Sequence, residues 1–288
     1  MGTDVLGVGL SLPPDSLSLS LLWPLIVEAV DYYEVAPETL WRPGPSGGNG
    51  YRARFLQLKA DSGRPFVAHG VGLSMAHTSP SRRQQWLQRL AADQADFDFQ
   101  WYTDHLGWTH SGTQNMSLPL AAPDTQETRQ RLVQTLRDIR SFAPAAGLEN
   151  SVSYFLPYPP LQEPEIIGAV LEEAGGWLLL DLHNLYTMSV NMGFSAEDWL
   201  ARAPLERVIE IHVSGGLESR PGWLPGGRRL RLDSHDAAVP EAVWSLLDGT
   251  RPRGPGLRGI TLEYIEGSFT AHDLPRIGDE LARARAVL

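Results

Sequence analysis

No cysteine occurs among the 288 residues. A disulfide framework, a zinc-thiolate site, an iron–sulfur cluster and a thiol nucleophile are therefore excluded. Any metal must sit on nitrogen and oxygen ligands. Positive charge is in short supply: 24 Lys and Arg stand against 34 Asp and Glu, a formal net charge of −10. That balance counts against nonspecific binding to nucleic acid or to an anionic membrane. Long apolar runs are absent, since stretches such as Trp177 to Leu180 fall far short of the ~20 residues that span a bilayer. No basic segment precedes an apolar stretch at the N-terminus, which together with the missing cysteine leads us to expect a cytoplasmic protein. A glycine-rich phosphate turn is also lacking. Leu6-Gly7-Val8-Gly9-Leu10 has two glycines but lies inside an apolar run, with no third glycine at the required spacing.

What is present is a rhythm of short apolar runs: Val5–Leu10, Tyr32–Val35, Pro65–Ala68, Phe99–Thr103, Gly147–Glu149, Trp177–Leu182, Val208–Val213 and Gly259–Tyr264. Amphipathic stretches lie between several of them. Ser81–Ala92 puts Trp86, Leu87, Leu90 and Ala91 on one face, and Thr125–Phe142 does so with Leu132, Val133, Leu136 and Ile139. Glu163–Ala174 and Ala196–Ala203 behave alike. Strand and helix alternating eight times predict an α/β fold, a (β/α)8 TIM barrel, as one domain over residues 1–288. A doubly wound open sheet is the alternative. Two segments read as long loops, Trp41–Gly50 and the glycine- and arginine-rich Gly215–Arg231.

The polar residues are the informative part. His69 follows the third run, His105 the fourth and Glu149 the fifth. Asp181 and His183 close the sixth, and His212 closes the seventh. Asp233 and His235 come in the next loop, and Glu263 lies on the eighth run. In a barrel those ends converge on one mouth, where active sites are built. An Asp after a strand often caps the next helix, as Asp181 or Asp233 could. Histidines and acids in register with so many strand ends nevertheless point to a metal site. His77, His110 and His272 lie outside the series and read as structural. Glu34 and Glu38 are intermediate, and Glu210 reads as a structural partner of His212. Glu149, Asp181, Asp233 and Glu263 bring four negative charges, which one divalent ion would leave overcharged. Two or three ions are expected, and mixed imidazole and carboxylate ligation suits iron, zinc or manganese.

Six phrases then carry a resemblance: Val67-Ala68-His69-Gly70-Val71-Gly72-Leu73-Ser74, Asp104-His105-Leu106-Gly107-Trp108, Leu148-Glu149-Asn150-Ser151, Asp181-Leu182-His183-Asn184-Leu185-Tyr186, Glu210-Ile211-His212-Val213-Ser214-Gly215 and Asp233-Ser234-His235-Asp236. In this order they resemble the multinuclear non-haem iron-dependent oxidative enzymes of the methanobactin-biosynthesis type, over nearly the whole chain. The resemblance implies a xylose-isomerase-like barrel holding two or three irons, with a mixed ferrous/ferric pair. It implies dioxygen as co-substrate and oxidation of a cysteine residue in a ribosomally made precursor peptide. A separate partner protein that recruits the peptide's leader is a further expectation, since 288 residues leave no room for a fused recognition domain. By motif, His69, His105, Glu149, Asp181, His212, Asp233, His235 and Glu263 would be ligands and catalytic residues, with Glu149 bridging. The sixth phrase departs from the family's Asp, any residue, Asn, Asn. Family pattern favours Asn184 as ligand, whereas strand parity with Asp181 favours His183.

Asn150, Arg229 and Arg231 are expected to contact the substrate. The loop arginines Arg220, Arg228, Arg229 and Arg231 suit an acidic peptide, and Trp108, Tyr154 and Tyr264 suit walls of the site. Rival readings are a trinuclear-zinc phosphodiesterase acting on DNA, a sugar isomerase or epimerase, and a metal-storage protein. No nucleic-acid or membrane partner is expected.

Overall fold

A computed structural model of the chain describes residues 5–41, 50–76, 79–111, 114–250 and 256–288. Its strands, in chain order, are β1 (Gly7–Ser11), β2 (Tyr32–Val35), β3 (Phe66–Gly70), β4 (Tyr102–His105), β5 (Trp108–Ser111), β6 (Gln114–Leu120), β7 (Ala146–Glu149), β8 (Trp177–Asp181), β9 (Val208–Val213) and β10 (Gly259–Leu262). The helices are α1 (Ser16–Glu28), α2 (Pro37–Leu40), α3 (Gly50–Ser62), α4 (Pro80–Phe97), α5 (Gln126–Ile139), α6 (Glu163–Ala174), α7 (Leu182–Met192), α8 (Ala196–Arg202), α9 (Glu241–Thr250) and α10 (Leu274–Val287). Eight strands close a barrel in the order β1-β2-β3-β4-β7-β8-β9-β10, and β10 returns to β1. All its neighbouring pairs are parallel. The α/β barrel expected from the sequence is therefore the fold, and each of the eight apolar runs overlaps one barrel strand.

Three details differ from expectation. The fourth strand begins at Tyr102 rather than Phe99. Phe99 stacks on Phe97 at the end of α4, with ring centroids 5.3 Å apart, so these apolar residues close the helix-to-strand turn. The hairpin β5–β6 was not foreseen; it pairs only with itself, outside the barrel's repeat. The sixth run ends at Asp181, because α7 begins at Leu182. Strand parity therefore cannot govern His183. Most of the expected loop Trp41–Gly50, at 42–49, and His77 lie outside the described residues.

Strand alternation sorts the side chains. Val8, Leu10, Tyr33, Val35 and Ala68 belong to the large core under the helices, whereas Tyr32, Val67, Trp101, Ala145 and Ile209 form a separate cluster inside the barrel. Gly9 and Gly259 make room for this plug, since a Cβ at either would come within 2.4 Å of the Tyr32 phenol. The Gly7–Gly9 pair thus serves packing. Above the plug, buried Glu210 accepts hydrogen bonds from Tyr32 Oη (3.0 Å), Trp101 Nε1 (2.6 Å) and Thr261 Oγ1 (2.6 Å). A fully satisfied carboxylate of this kind fixes the floor of the mouth.

Some buried acids lie away from the mouth, Glu163 among them. Glu163, in the first turn of α6, accepts one hydrogen bond, from Trp199 Nε1 at 3.2 Å. Burial pushes its carboxyl up to about 8, only partly offset by the indole. The unfolded chain gives up this proton near pH 4.5, while the fold holds it to about pH 8. Stability is therefore lost as pH rises between those values, and the full penalty stands above the upper one. Glu163→Gln keeps an acceptor for Trp199 and never ionises. Thermal melts should show a gain on the order of a few kcal/mol at pH 9 and essentially none at pH 4. An equal gain at both would mean that burial of the charge is not the cause.

Candidate metal centre

Each strand of the barrel's second half, with β3 and β4, lifts one or two polar side chains to the mouth. His69 lies at the end of β3, with Nε2 3.3 Å from Glu149 Oε2. His105 closes β4, with Nε2 3.0 Å from the same oxygen. Two imidazoles thus converge on one carboxylate oxygen. Each ring is oriented by its far nitrogen: His105 Nδ1–H donates to Gly70 O at 3.2 Å, and His69 Nδ1 lies 3.0 Å from Thr103 Oγ1. His212, near the end of β9, repeats the plan. Its Nε2–H donates to Glu34 Oε2 at 2.8 Å, and its Nδ1 faces Glu263 Oε2 at 3.0 Å. A carboxylate on the remote nitrogen fixes the tautomer and raises the basicity of the other nitrogen, as is usual for metal-bound histidine.

Asp181 does two jobs. Its Oδ1 caps α7 by accepting from Asn184 N at 2.7 Å, so the capping role open to it from sequence is real. Its Oδ2 is buried and has no hydrogen-bond partner. The cap sets the first turn of α7, and that turn brings both His183 and Asn184 into the mouth. His183 Nδ1 lies 3.2 Å from Asp233 Oδ1, while Asn184 Nδ2 donates to Glu149 Oε1 at 2.9 Å. His235 completes this corner, with Nε2 2.6 Å from Asp233 Oδ1. Its backbone is left-handed (φ 49°), a strained conformation for an imidazole-bearing residue.

All ten expected ligands, His69, His105, Glu149, Asp181, His183, Asn184, His212, Asp233, His235 and Glu263, therefore meet at one end of the barrel. The ligand atoms of eight of them fall into groups, each with its atoms within 4.8 Å of one another: His69, Glu149 and His212; Asp181, His212 and Glu263, which shares His212 with the first; and His183, Asp233 and His235. Four buried atoms here lack a hydrogen-bond partner: Glu149 Oε2, Asp181 Oδ2, Asn184 Oδ1 and His212 Nδ1. Orphaned buried acceptors are costly, so their gathering at one place calls for a cation. The spacing fits. Ligands about 2.1 Å from an ion and at a right angle to each other lie ~3.0 Å apart, close to the separations found.

The field of the site points the same way. Burial alone would lower the His105 imidazole, yet Glu149 lifts it to about 10. Burial opposes His235 likewise, and Asp233 and Glu263 lift it to about 10. Burial works against the Glu263 carboxyl, but His212 and His235 bring it down to about 2. Asp181 goes the other way, pushed well up by burial and then by Glu149, Asp233 and Glu263. The cluster draws positive charge, and a metal must displace the protons it holds.

Other expectations fare variously. Asn150 is buried with its amide clamped to the Asp181 main chain: Nδ2 donates to Asp181 O (2.8 Å) and Oδ1 accepts from Asp181 N (2.9 Å). Arg231 stacks on Tyr186, with its guanidinium carbon 4.7 Å from the ring centre, while Arg229 is exposed beside Glu218. Tyr264 lines the cleft above the site, a cavity of about 330 Å³ reached by His69, His105, Glu149, Asp233, His235 and Glu263. Tyr154 Oη accepts from Asp233 N at 3.3 Å. His110 and His272 stay away from the mouth, against Arg82 and in the turn before α10. Glu34 was the underrated residue. Glu34→Ala should weaken metal binding about 10–100-fold through His212 while sparing the fold. Chelator competition measures this, and unchanged affinity would remove Glu34 from the centre.

The family described as RiPP precursor modification enzyme MbnB/TglH/ChrH matches residues 7–288. A UPF0276 protein of Rhizorhabdus wittichii is 31% identical over 259 residues, covering 89% of this chain and 86% of its own. One from Alcanivorax borkumensis is 30% identical, covering 85% and 80%. Among solved structures, a D-psicose 3-epimerase from Clostridium cellulolyticum superposes with TM-score 0.59 at 12% identity, over 97% of this chain and 96% of its own. Endonuclease IV from Thermus thermophilus gives 0.56 at 16% identity, over 96% and 98%. Likeness at these identities concerns the barrel alone.

Proposed function

The chain belongs to the MbnB/TglH/ChrH family of RiPP precursor modification enzymes, and from that premise we propose that it is an iron- and dioxygen-dependent enzyme oxidising a cysteine residue of a ribosomally made precursor peptide. The observation that carries this reading is the set of four buried ligand atoms without a hydrogen bond, three of them on residues of the ligand groups at the mouth. The donor set is nitrogen and oxygen only, which suits iron. His69, His105 and Glu149 would hold one ion and Asp181, His212 and Glu263 a second. His183, Asp233 and His235 would hold a third, with Asn184 Oδ1 turned to the same centre. Iron there supplies redox chemistry and a Lewis acid for the substrate's thiol, with dioxygen as the electron acceptor.

The protein's own residues do the rest. Glu34 and Gly70 O hold the ring orientations of His212 and His105. Asn150 pins the Asp181 backbone, so it supports the site through that residue. Leu12, Pro13, Tyr264 and Ile265 form an apolar side of the cleft, which limits water around the reacting cysteine. With no cysteine of its own, this chain has no thiol to compete with the substrate's. Arg229 is available to the peptide, and a separate leader-binding protein would complete recognition. Among the described residues no helix is long and apolar enough to cross a membrane.

The test is metal analysis of anaerobically purified protein with Mössbauer spectroscopy of an iron-57 sample. It is followed by dioxygen exposure with synthetic cysteine-containing peptides, including any short one found encoded beside the gene. Two or three irons per chain, a coupled ferrous/ferric signal and a mass change at the cysteine are expected. Stoichiometric zinc that iron does not displace would overturn the reading and favour a hydrolase.

A further inference from the structure

The segment between β9 and the Asp233–His235 corner is a flap with order of its own. Ser219 N donates to Leu230 O (2.7 Å), Leu232 N donates to Leu217 O (2.8 Å), and Glu218 and Arg231 form an antiparallel bridge. The base of this hairpin is fastened to α7. Asn191 accepts from Arg231 N (2.8 Å) and donates to Arg231 O (2.9 Å), while the Arg231 guanidinium lies on Tyr186 and donates to Gly216 O. Arg231 is thus a structural fastener, and the tip, residues 220–229, stands in solvent.

The tip has an unusual composition for this chain. Arg220, Arg228 and Arg229 are exposed, and the one carboxylate beside them is Glu218, 3.4 Å from Arg229. Among the described residues the Arg220 and Arg228 side chains have no partner. Trp223 is 60% exposed between them. Unpaired arginines around an exposed tryptophan, on a protein of net charge −10, make a local surface of opposite sign to the rest. Arg and Trp are also the residue types that most often anchor an interface.

Resting on the reading that the substrate is a peptide, we propose that the 217–232 flap docks an acidic segment of it. Arg220, Arg228 and Arg229 pair with its carboxylates, and Trp223 covers an apolar side chain beside them. A peptide fits better than a nucleic acid because the cleft presents exposed apolar side chains, Val71 and Ile265. The arms of the flap run directly into Asp233, so a peptide held at the tip has its next residues above the centre.

The test uses the full-length, iron-loaded protein and a fluorescein-labelled peptide, Gly-Glu-Glu-Phe-Glu-Glu-Gly. Its lysine-for-glutamate counterpart and an oligothymidylate of equal charge serve as rival probes. By fluorescence polarisation the acidic peptide should bind and the lysine peptide should not. The triple variant R220Q/R228Q/R229Q should weaken binding about tenfold or more, as should about 0.5 M salt, which shortens the Debye length to ~4 Å. Trp223→Ala should weaken it several-fold at either salt concentration. Iron content and melting temperature of both variants should match the parent. Wild-type affinity in the triple variant overturns the proposal, as does oligothymidylate binding as tightly as the peptide. Failure of the iron reading appears separately, as missing iron or missing cysteine oxidation in the unmodified protein.

Discussion

Glu149→Gln should strip metal from the barrel mouth and cost about 10³-fold or more in turnover while the barrel stays folded. Glu149 Oε2 is the point on which His69 and His105 converge, at 3.3 and 3.0 Å, and it is unpartnered and 2% exposed with its residue. An amide of the same shape fills the space but offers a neutral oxygen, or an N–H₂ that faces the two imidazoles and repels a cation. At least one ion per chain should be lost, because the carboxylate belongs to the group of His69 and His212. The fold should survive for an electrostatic reason. Burial pushes the Glu149 carboxyl up, and His105 and His69 more than reverse this, holding it well below the carboxylate range. Without it those imidazoles simply give up their protons, so no charge is stranded. Iron analysis, dioxygen uptake and a melting curve at pH 8 decide the matter. A full metal complement in this variant would remove Glu149 from the ligand set.

The candidate ligands were legible because the fold is a barrel. Parallel strands send every C-terminal end to one mouth, so a histidine or acid at a strand end needs no further information to be placed there. The supporting residues were not legible, since each depends on a contact across the barrel. Glu34 meets His212 from 178 residues away in sequence, and nothing near either signals the pairing. Asn150 sits in a motif and reads as a substrate contact, but its amide is occupied by the main chain of the next strand. The strand-to-helix junction at Asp181 was hidden in an apolar run. Its signal was the aspartate itself, whose capping role was open from the sequence beside its role as a ligand. Once α7 is known to start at Leu182, the choice between His183 and Asn184 changes its terms. A helical turn points them at different partners, Asp233 and Glu149, and each has a place. The hairpin β5–β6 escaped notice because it belongs to no repeat of the barrel.

His235 sets strain against charge, and the two can be separated by substitution. A non-glycine residue in the left-handed region costs about 1–2 kcal/mol, and asparagine tolerates that region better than alanine. Against this, Asp233 and Glu263 lift the half-buried imidazole to about 10 from an unfolded value of 6.5. Its pairing therefore stabilises the metal-free fold fully below pH 6.5, and the contribution is lost as pH rises through about 10. That contribution is on the order of a few kcal/mol, so charge outweighs strain at neutral pH. His235→Asn should destabilise the metal-free protein at pH 6, with the penalty shrinking steadily toward pH 9.5. His235→Ala should follow the same curve about 1 kcal/mol lower, because it keeps the strain and loses the charge. Both should lose about one ion per chain and at least about 10²-fold in turnover, since the group of His183, Asp233 and His235 is broken. Equal stability of the two variants at every pH would mean that the backbone at His235 stores no strain. A penalty independent of pH would mean that the imidazole is not held as a cation. If strain and charge are both found and metal is lost, the protein keeps a strained residue at its mouth because the metal needs an imidazole where the chain would otherwise favour asparagine or glycine.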